Sequence, residues 1–288
     1  MVVLVTGANG QLGQSIQSIA GSYPDIQFVF CSSSDLDITN KENCVFVFDK
    51  SNPDYCINAG AYTAVDKAES ESEKAHLINV IGAKNLAEAC KDFGVTLIHI
   101  STDFVFDGNK SLPYTEEDAT NPQSIYGQTK LDGESAIQKI INNYFIIRTS
   151  WVYSQFGNNF MKTILRLAKE RKSLNIVSDQ IGTPTNAIDL AEAILKITLF
   201  SSLSKGEGRG EAFGIYNFSN EGECSWYDFA KKTLEINNIN IDLQPIQTKG
   251  YPTPAQRPKY SVLNKSKIKN RFGIEIKSWE ESLEKIVI

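Results

Sequence analysis

The chain has 288 residues, 41% hydrophobic and 22% charged, which suits one large α/β domain, or a domain with a smaller appendage, around a sizeable core. A net charge of -5 without any basic stripe argues against nucleic acid or an anionic membrane as the main partner. Five scattered cysteines with no CxxC spacing argue against a disulfide framework or a zinc site. With no signal-peptide pattern and no apolar run of roughly 18 residues, a cytoplasmic protein is expected.

Val2-Val3-Leu4-Val5 is the kind of apolar run a buried parallel strand uses. It leads into Thr6-Gly7-Ala8-Asn9-Gly10-Gln11-Leu12-Gly13, and a helix is predicted over residues 11–20. Gly7 suits a tight turn. Gly10 would bring a pyrophosphate to the backbone at a helix N-terminus, where free N–H groups and the helix dipole favour anions. Gly13 would let the helix lie close on the strand. Strand, glycines and helix in this order predict a dinucleotide-binding turn, in the spacing GxxGxxG. Residues 27–31 read as the second strand. Its tip is Cys31-Ser32-Ser33-Ser34, where dinucleotide folds often place an acid on the ribose, and the first acid here is Asp35. This favours NADP over NAD, although no arginine stands nearby to meet a 2′-phosphate. A helix over 40–50 follows.

Residues 53–58 lead into a third strand, and small residues after it leave room for the flat parts of a cofactor. A helix over 70–93 carries Asn79, and a fourth strand covers 95–100. Ser101-Thr102-Asp103 then stands at its carboxyl tip, where ligands bind in open α/β sheets; it also suits plain turn chemistry. Beyond a loop over 107–123, a helix over 124–142 carries Tyr126 and Lys130. At i and i+4 they share a face, one turn apart. An ammonium beside a phenol lowers the tyrosine pKa from its ordinary value of about 10 and makes a proton-transfer unit. Among eleven tyrosines such a pair, taken alone, is more readily read as a surface contact. A fifth strand over 144–148 ends at Thr149-Ser150-Trp151. The alternation predicts an α/β fold with a doubly wound parallel sheet, a Rossmann fold.

Past Trp151 the pattern loosens. Helices are predicted over 158–172, 187–200 and 225–237, the last with Ser225 as N-cap, and strands over 175–177 and 214–218. Residues 179–185 and 201–212 read as loops. The stretch 245–260 holds four prolines but carries apolar residues, so it reads as ordered cover over a site rather than a spacer. The expected division is a dinucleotide-binding domain over 1–150, joined by parts of 174–220, and a substrate-binding lobe over 151–288, with the chain crossing between them.

Glycine turn, strand-tip hydroxyl and Tyr-x-x-x-Lys together resemble the extended short-chain dehydrogenase/reductase superfamily. Within it, Asn58-Ala59-Gly60-Ala61-Tyr62-Thr63-Ala64-Val65-Asp66, Ser101-Thr102-Asp103-Phe104-Val105-Phe106, Arg148-Thr149-Ser150-Trp151, Gln180-Ile181-Gly182-Thr183-Pro184-Thr185 and Arg257-Pro258 with Ser261-Val262-Leu263-Asn264 resemble the dTDP-4-dehydrorhamnose reductases over nearly the whole chain. The resemblance implies reduction of the 4-keto group of a dTDP-linked 4-keto-6-deoxy sugar by NADPH or NADH. Tyr126 would protonate the 4-oxygen, Lys130 would hold the nicotinamide ribose and Thr102 would bond the keto oxygen. Gly7, Asn9, Gly10, Gln11, Leu12 and Gly13 would line the pyrophosphate, and Asp37 and Ile38 would lie near adenine. Ala59, Gly60, Ala61 and Tyr62 would line the cofactor further along. Thr63, Val65, Asp103, Phe104 and Trp151, with Thr102, would meet the sugar nucleotide.

Three departures stand out. Phe104 replaces a tyrosine frequent in the family, and Gly60 an alanine. Gln14-Ser15-Ile16 stands where some members carry carboxylates of a magnesium-linked dimer, so no metal is expected, and a homodimer stays open. Two rival readings are a reductase of another nucleotide-linked 4-keto sugar and a non-catalytic NADP-binding regulatory subunit resembling the methionine adenosyltransferase beta subunit.

Overall fold

The computed structural model describes residues 1–203 and 212–286. The chain opens with β1 (Val2–Thr6), α1 (Gln11–Ile19), β2 (Gln27–Phe30), α2 (Lys41–Ser51) and β3 (Tyr55–Asn58). Next come α3 (Val65–Ala68), α4 (Ser72–His76), α5 (Gly82–Phe93), β4 (Thr96–Thr102), α6 (Ile125–Ile140), β5 (Tyr144–Thr149) and β6 (Val152–Tyr153). The second half holds α7 (Phe160–Glu170), β7 (Ser173–Val177), β8 (Ile181–Gly182), β9 (Thr185–Asn186), α8 (Ala187–Leu203) and β10 (Gly214–Asn217). It closes with β11 (Cys224–Ser225), α9 (Trp226–Ile236), β12 (Asp242–Ile246), α10 (Ser266–Phe272) and α11 (Trp279–Glu284).

Six parallel strands form the central sheet in the order β10-β5-β4-β3-β1-β2. The predicted doubly wound sheet is therefore present. Side chains alternate across it, so consecutive apolar residues of β1 serve opposite faces. Val3 and Val5 join Leu12 and Ile16 of α1 and Leu190 and Ile194 of α8. Leu4 joins Phe48 of α2, Leu86 of α5 and Ile137 of α6. Both faces are covered, which is why the strands read as unbroken apolar runs. The sixth strand, β10, comes from far along the chain and pairs with β5, Gly214 opposite Phe145.

The helix predicted over 70–93 is not continuous. A π-helical stretch, Leu77–Ile81, separates α4 from α5. Its wide turn buries Asn79, whose side chain accepts from the Tyr62 amide at 2.9 Å and donates to the Tyr62 carbonyl and the Thr129 hydroxyl, each at 3.1 Å. α8 runs on to Leu203, so the loop expected over 201–212 is helical at its start. Residues 204–211 lie outside the described residues.

The second lobe has its own aromatic core, in which Tyr153, Phe160, Phe229 and Trp279 meet. β12 pairs in parallel with β7 and contains Pro245. The stretch expected to be cover over 245–260 thus begins inside a strand; β12 has one neighbour only, and on its open side the N–H that Pro245 lacks is not needed. The rest of the proline-rich stretch is a strap fastened to both halves of the chain. The Tyr260 amide donates to the Gly108 carbonyl at 3.3 Å, and the Ile181 amide to the Lys259 carbonyl at 2.8 Å.

Candidate active site

The carboxyl ends of β1, β3, β4 and β5 face a cavity of about 620 Å³ under the strap and the second lobe. At its β1 end, Gly7 has φ +64, and a Cβ there would stand 2.6 Å from the Gly60 nitrogen and 2.7 Å from the Ala59 carbonyl carbon. Only glycine fits. The Gly10 amide donates to the Gly7 carbonyl at 2.9 Å and starts α1, whose first N–H groups lack partners within the helix.

Of the residues predicted for a cofactor, Gly10, Gln11, Leu12, Ala59, Ala61, Tyr126 and Lys130 line this cavity. Gly7 shapes the turn beneath it, and Gly13 seats α1 on that turn, a Cβ there standing 2.6 Å from the Ala8 Cα. Asn9 is exposed, its carbonyl accepting from the Gln14 side chain. The Gly60 amide bonds Thr6 and Asn58, and Tyr62 is buried with its hydroxyl on Glu71. Asp37 and Ile38 do not line the cavity. Asp37 bonds Thr39, and Ile38 is buried against Gly82. All six residues predicted to meet substrate, Thr63, Val65, Thr102, Asp103, Phe104 and Trp151, lie on its wall.

Tyr126 stands in the first turn of α6, whose N-cap, Ser124, accepts from the Gly127 amide at 3.1 Å. It is half-buried, and nearby the Thr102 hydroxyl donates to Asp103 Oδ1 at 3.1 Å and accepts from the Phe104 amide at 3.2 Å. Phe104 packs against the Tyr126 ring edge-on, at 5.6 Å between centroids. Burial pushes the Tyr126 phenol up to about 12; the Thr102 bond pulls down and the Asp103 charge pushes further up. The lowering by Lys130 expected from the sequence is absent. Lys130 is buried, and its Nζ is turned onto the Ile100 carbonyl at 2.7 Å and His99 Nε2 at 3.2 Å. Burial brings Lys130 down to about 8, against an upward pull from Glu134. Asp103 is pushed up to about 6 by burial, with the Ser261 and Thr102 hydroxyls pulling the other way.

Below this floor lies a buried ion pair invisible in the sequence. Glu134 accepts two bonds from Arg148, at 2.7 and 3.0 Å, and one from the Ser101 hydroxyl at 2.5 Å. The roof is built differently. Trp151 adopts φ +47 and stacks on Trp226, with centroids 3.5 Å apart and planes 11° from parallel. Arg257 lines the cavity and forks onto Asp66 at 2.7 and 3.0 Å. Gln11 reaches across to the second lobe, donating to the Val152 carbonyl at 3.3 Å and accepting from Asn159 at 2.9 Å and Ser154 at 3.1 Å. Trp226 and Arg257 carried no predicted role; the signals were Trp226 next to a helix cap, and Arg257 within a stretch that carries the family resemblance. Among the described residues, no group of three or more His, Cys, Asp or Glu is placed to hold a metal ion. Likewise, no described helix is long and apolar enough to cross a membrane.

Comparison with known proteins identifies the family. Residues 1–288 match the family described as RmlD substrate binding domain. The chain is 42% identical to the dTDP-4-dehydrorhamnose reductase of Sinorhizobium fredii over 293 residues, 100% of this chain and 97% of that one. The chain belongs to the dTDP-4-dehydrorhamnose reductase family. Two crystal structures of such reductases superpose closely. One, from Clostridium acetobutylicum, has a TM-score of 0.92 at 41% identity, covering 99% of this chain and 97% of that one. The other, from Bacillus anthracis in complex with NADP, has a TM-score of 0.91 at 40% identity, covering 99% and 98%. Membership of this reductase family makes the chain an NAD(P)H-dependent oxidoreductase.

Proposed function

We propose that the chain reduces the 4-keto group of dTDP-4-dehydro-L-rhamnose to give dTDP-L-rhamnose, with Tyr126 as proton donor. The observation that carries this reading is Thr102, Tyr126 and Lys130 together on the wall of one cavity, which also takes in Gly10, Gln11 and Leu12 just past the Gly7 turn. The turn fits a dinucleotide: it has no room for a Cβ at Gly7, and α1 presents its N-terminus there. When bound, NADPH or NADH supplies the hydride. The chain's residues do the rest. The α1 N–H groups hold phosphate, Ala59 and Ala61 leave room beside it, and Lys130 anchors the ribose. Reduction builds negative charge on the ketone oxygen. Thr102 and Tyr126 donate to that oxygen in a site shielded from water, each donor worth about 3 kcal/mol. With its pKa pushed up to about 12, Tyr126 is held in the protonated form that the reduction consumes.

The sugar nucleotide brings a diphosphate, and Arg257 and Lys130 are the cations on the described cavity wall. Arg257 faces the diphosphate and Lys130 the reacting end. The intact trio of Thr102, Tyr126 and Lys130 argues against a regulatory subunit. A cytoplasmic location and a homodimer belong to the same reading; light scattering of the purified chain tests the dimer.

Phe104 favours a second reading, a different nucleotide-linked 4-keto sugar. Against the Tyr126 ring it offers no hydroxyl where the family often has one. A panel of nucleotide-linked 4-keto sugars, assayed by oxidation of NADPH and of NADH, decides. Turnover of dTDP-4-dehydro-L-rhamnose above the others is expected. Preference for another sugar moves the assignment to the second reading, and no turnover with any member ends both.

A further inference from the structure

Beneath Lys130 runs a buried chain of hydrogen bonds whose protons can be counted. It starts at the Gly60 amide, a fixed donor 3.2 Å from both Asn58 Oδ1 and Thr6 Oγ1. The Thr6 hydroxyl donates to the same Oδ1 at 2.7 Å. Two donors on one atom make it the amide oxygen of Asn58. Its NH₂ then faces His99 Nδ1 at 3.0 Å and can only donate, so Nδ1 accepts. A neutral imidazole carries one N–H, which falls on Nε2. Nε2 lies 3.2 Å from Lys130 Nζ. Lys130 is thus offered a donor, which it accepts only as an uncharged amine.

A second arrangement of the same atoms exists. With the Asn58 amide reversed, its oxygen accepts from His99 Nδ1–H, and Nε2 is free to accept from a Lys130 ammonium. The Asn58 NH₂ then faces the Gly60 N–H, and the Thr6 hydroxyl loses its acceptor. Each arrangement satisfies one end of the chain at the expense of the other. His99 stays neutral in both, because burial, and after it the Lys130 charge, keep its pKa well below the usual range. The other charged or titratable groups facing the network are Glu134 and Tyr126 on α6, Asp103 past the end of β4, and Arg148 on β5, which is paired with Glu134.

We propose that Asn58 and His99 form a two-state hydrogen-bond switch that sets the charge on Lys130 and links it to the dinucleotide turn. The link is the Gly60 amide, which bonds Asn58 on one side and closes on Gly7 on the other. His99 acts here as a positioning residue. Only the consequence for turnover depends on the reading of Lys130 under the proposed function; the tautomers do not.

The chain has two histidines, His76 and His99, so ¹⁵N-histidine labelling of the His76→Gln variant isolates His99. As pH rises through the Lys130 titration near 8, the protonated nitrogen is expected to change from Nδ1 to Nε2 without an imidazolium forming. Lys130→Met should leave one tautomer at every pH. Adding NADP⁺ should move the midpoint by roughly one pH unit, the size of an ordinary coupling between sites. A single tautomer across the range in the unsubstituted Lys130 protein, or an imidazolium, overturns the switch. A midpoint indifferent to NADP⁺ overturns its link to the turn. The exchange can occur in a chain without reductase activity, and an active chain can lack it, so the two proposals fail separately.

Discussion

Floor and roof of the cavity are held by different forces. The floor is a connected polar network below the surface: Glu134 with Arg148 and Ser101, and Lys130 with His99, Asn58 and Thr6. The roof is a pair of stacked indoles, two-residue strand pairings and a part-exposed ion pair, Asp66 with Arg257. A buried network tolerates no missing partner, because every unpaired group then stays desolvated. Stacked rings and a solvated ion pair yield at little cost. Proton delivery needs a fixed geometry, whereas holding a nucleotide sugar needs a surface that opens and closes.

Four substitutions test this contrast. Tyr126→Phe should lower kcat by roughly a thousandfold, the usual size of a lost general acid, while dinucleotide binding persists; steady-state assays and a binding titration check it. Rate retained within a few fold would remove Tyr126 from the chemistry. Arg148→Met should cost about 3–5 kcal/mol in urea unfolding, because it strands a buried carboxylate. A loss below about 1 kcal/mol would make the floor as tolerant as the roof.

Asp103→Asn should stabilise the fold. Burial raises the folded pKa of Asp103 to about 6 from 3.8, so the folded chain binds its proton more tightly than the unfolded one. Stability is then present below the unfolded pKa and lost as pH rises through the folded value. At pH 7.5 the variant should gain about 2–3 kcal/mol over the parent, and near pH 3 the gain should vanish, as read from unfolding curves at both pH values. The smallest effect belongs to the roof. Arg257→Met should raise KM for the sugar nucleotide about tenfold with kcat nearly unchanged, and alter stability by less than about 1 kcal/mol, as exposed ion pairs do. A large stability loss would mean that the strap is structural.

The floor was partly legible in the sequence and the roof hardly at all. β1, the glycine turn, the tip at Thr102 and the helix carrying Tyr126 all announce themselves through local spacing. The direction of Lys130 does not, because it depends on Ile100 and His99 across the sheet. Nor does the Glu134–Arg148 pair, since i and i+14 carry no periodic signal. The local contacts of Asp37 with Thr39 and of Ile38 with Gly82, just past β2, are likewise not written in the spacing. In the roof, Trp226 and Arg257 meet the cavity only through tertiary folding, and Pro245 hid a strand that a one-sided pairing permits.

The late arrival of β10 matters for how the protein is made. About 65 residues separate the end of β5 from the start of the strand that covers it. At ordinary elongation rates the growing polypeptide carries the uncovered rim Phe145-Ile146-Ile147 for roughly 3–13 seconds before Gly214 leaves the ribosome. That rim offers unpaired amides and carbonyls beside apolar side chains, a template for pairing with another nascent copy. Synthesis therefore passes through an interval in which the edge of β5 is open to pairing whatever the strength of the finished fold.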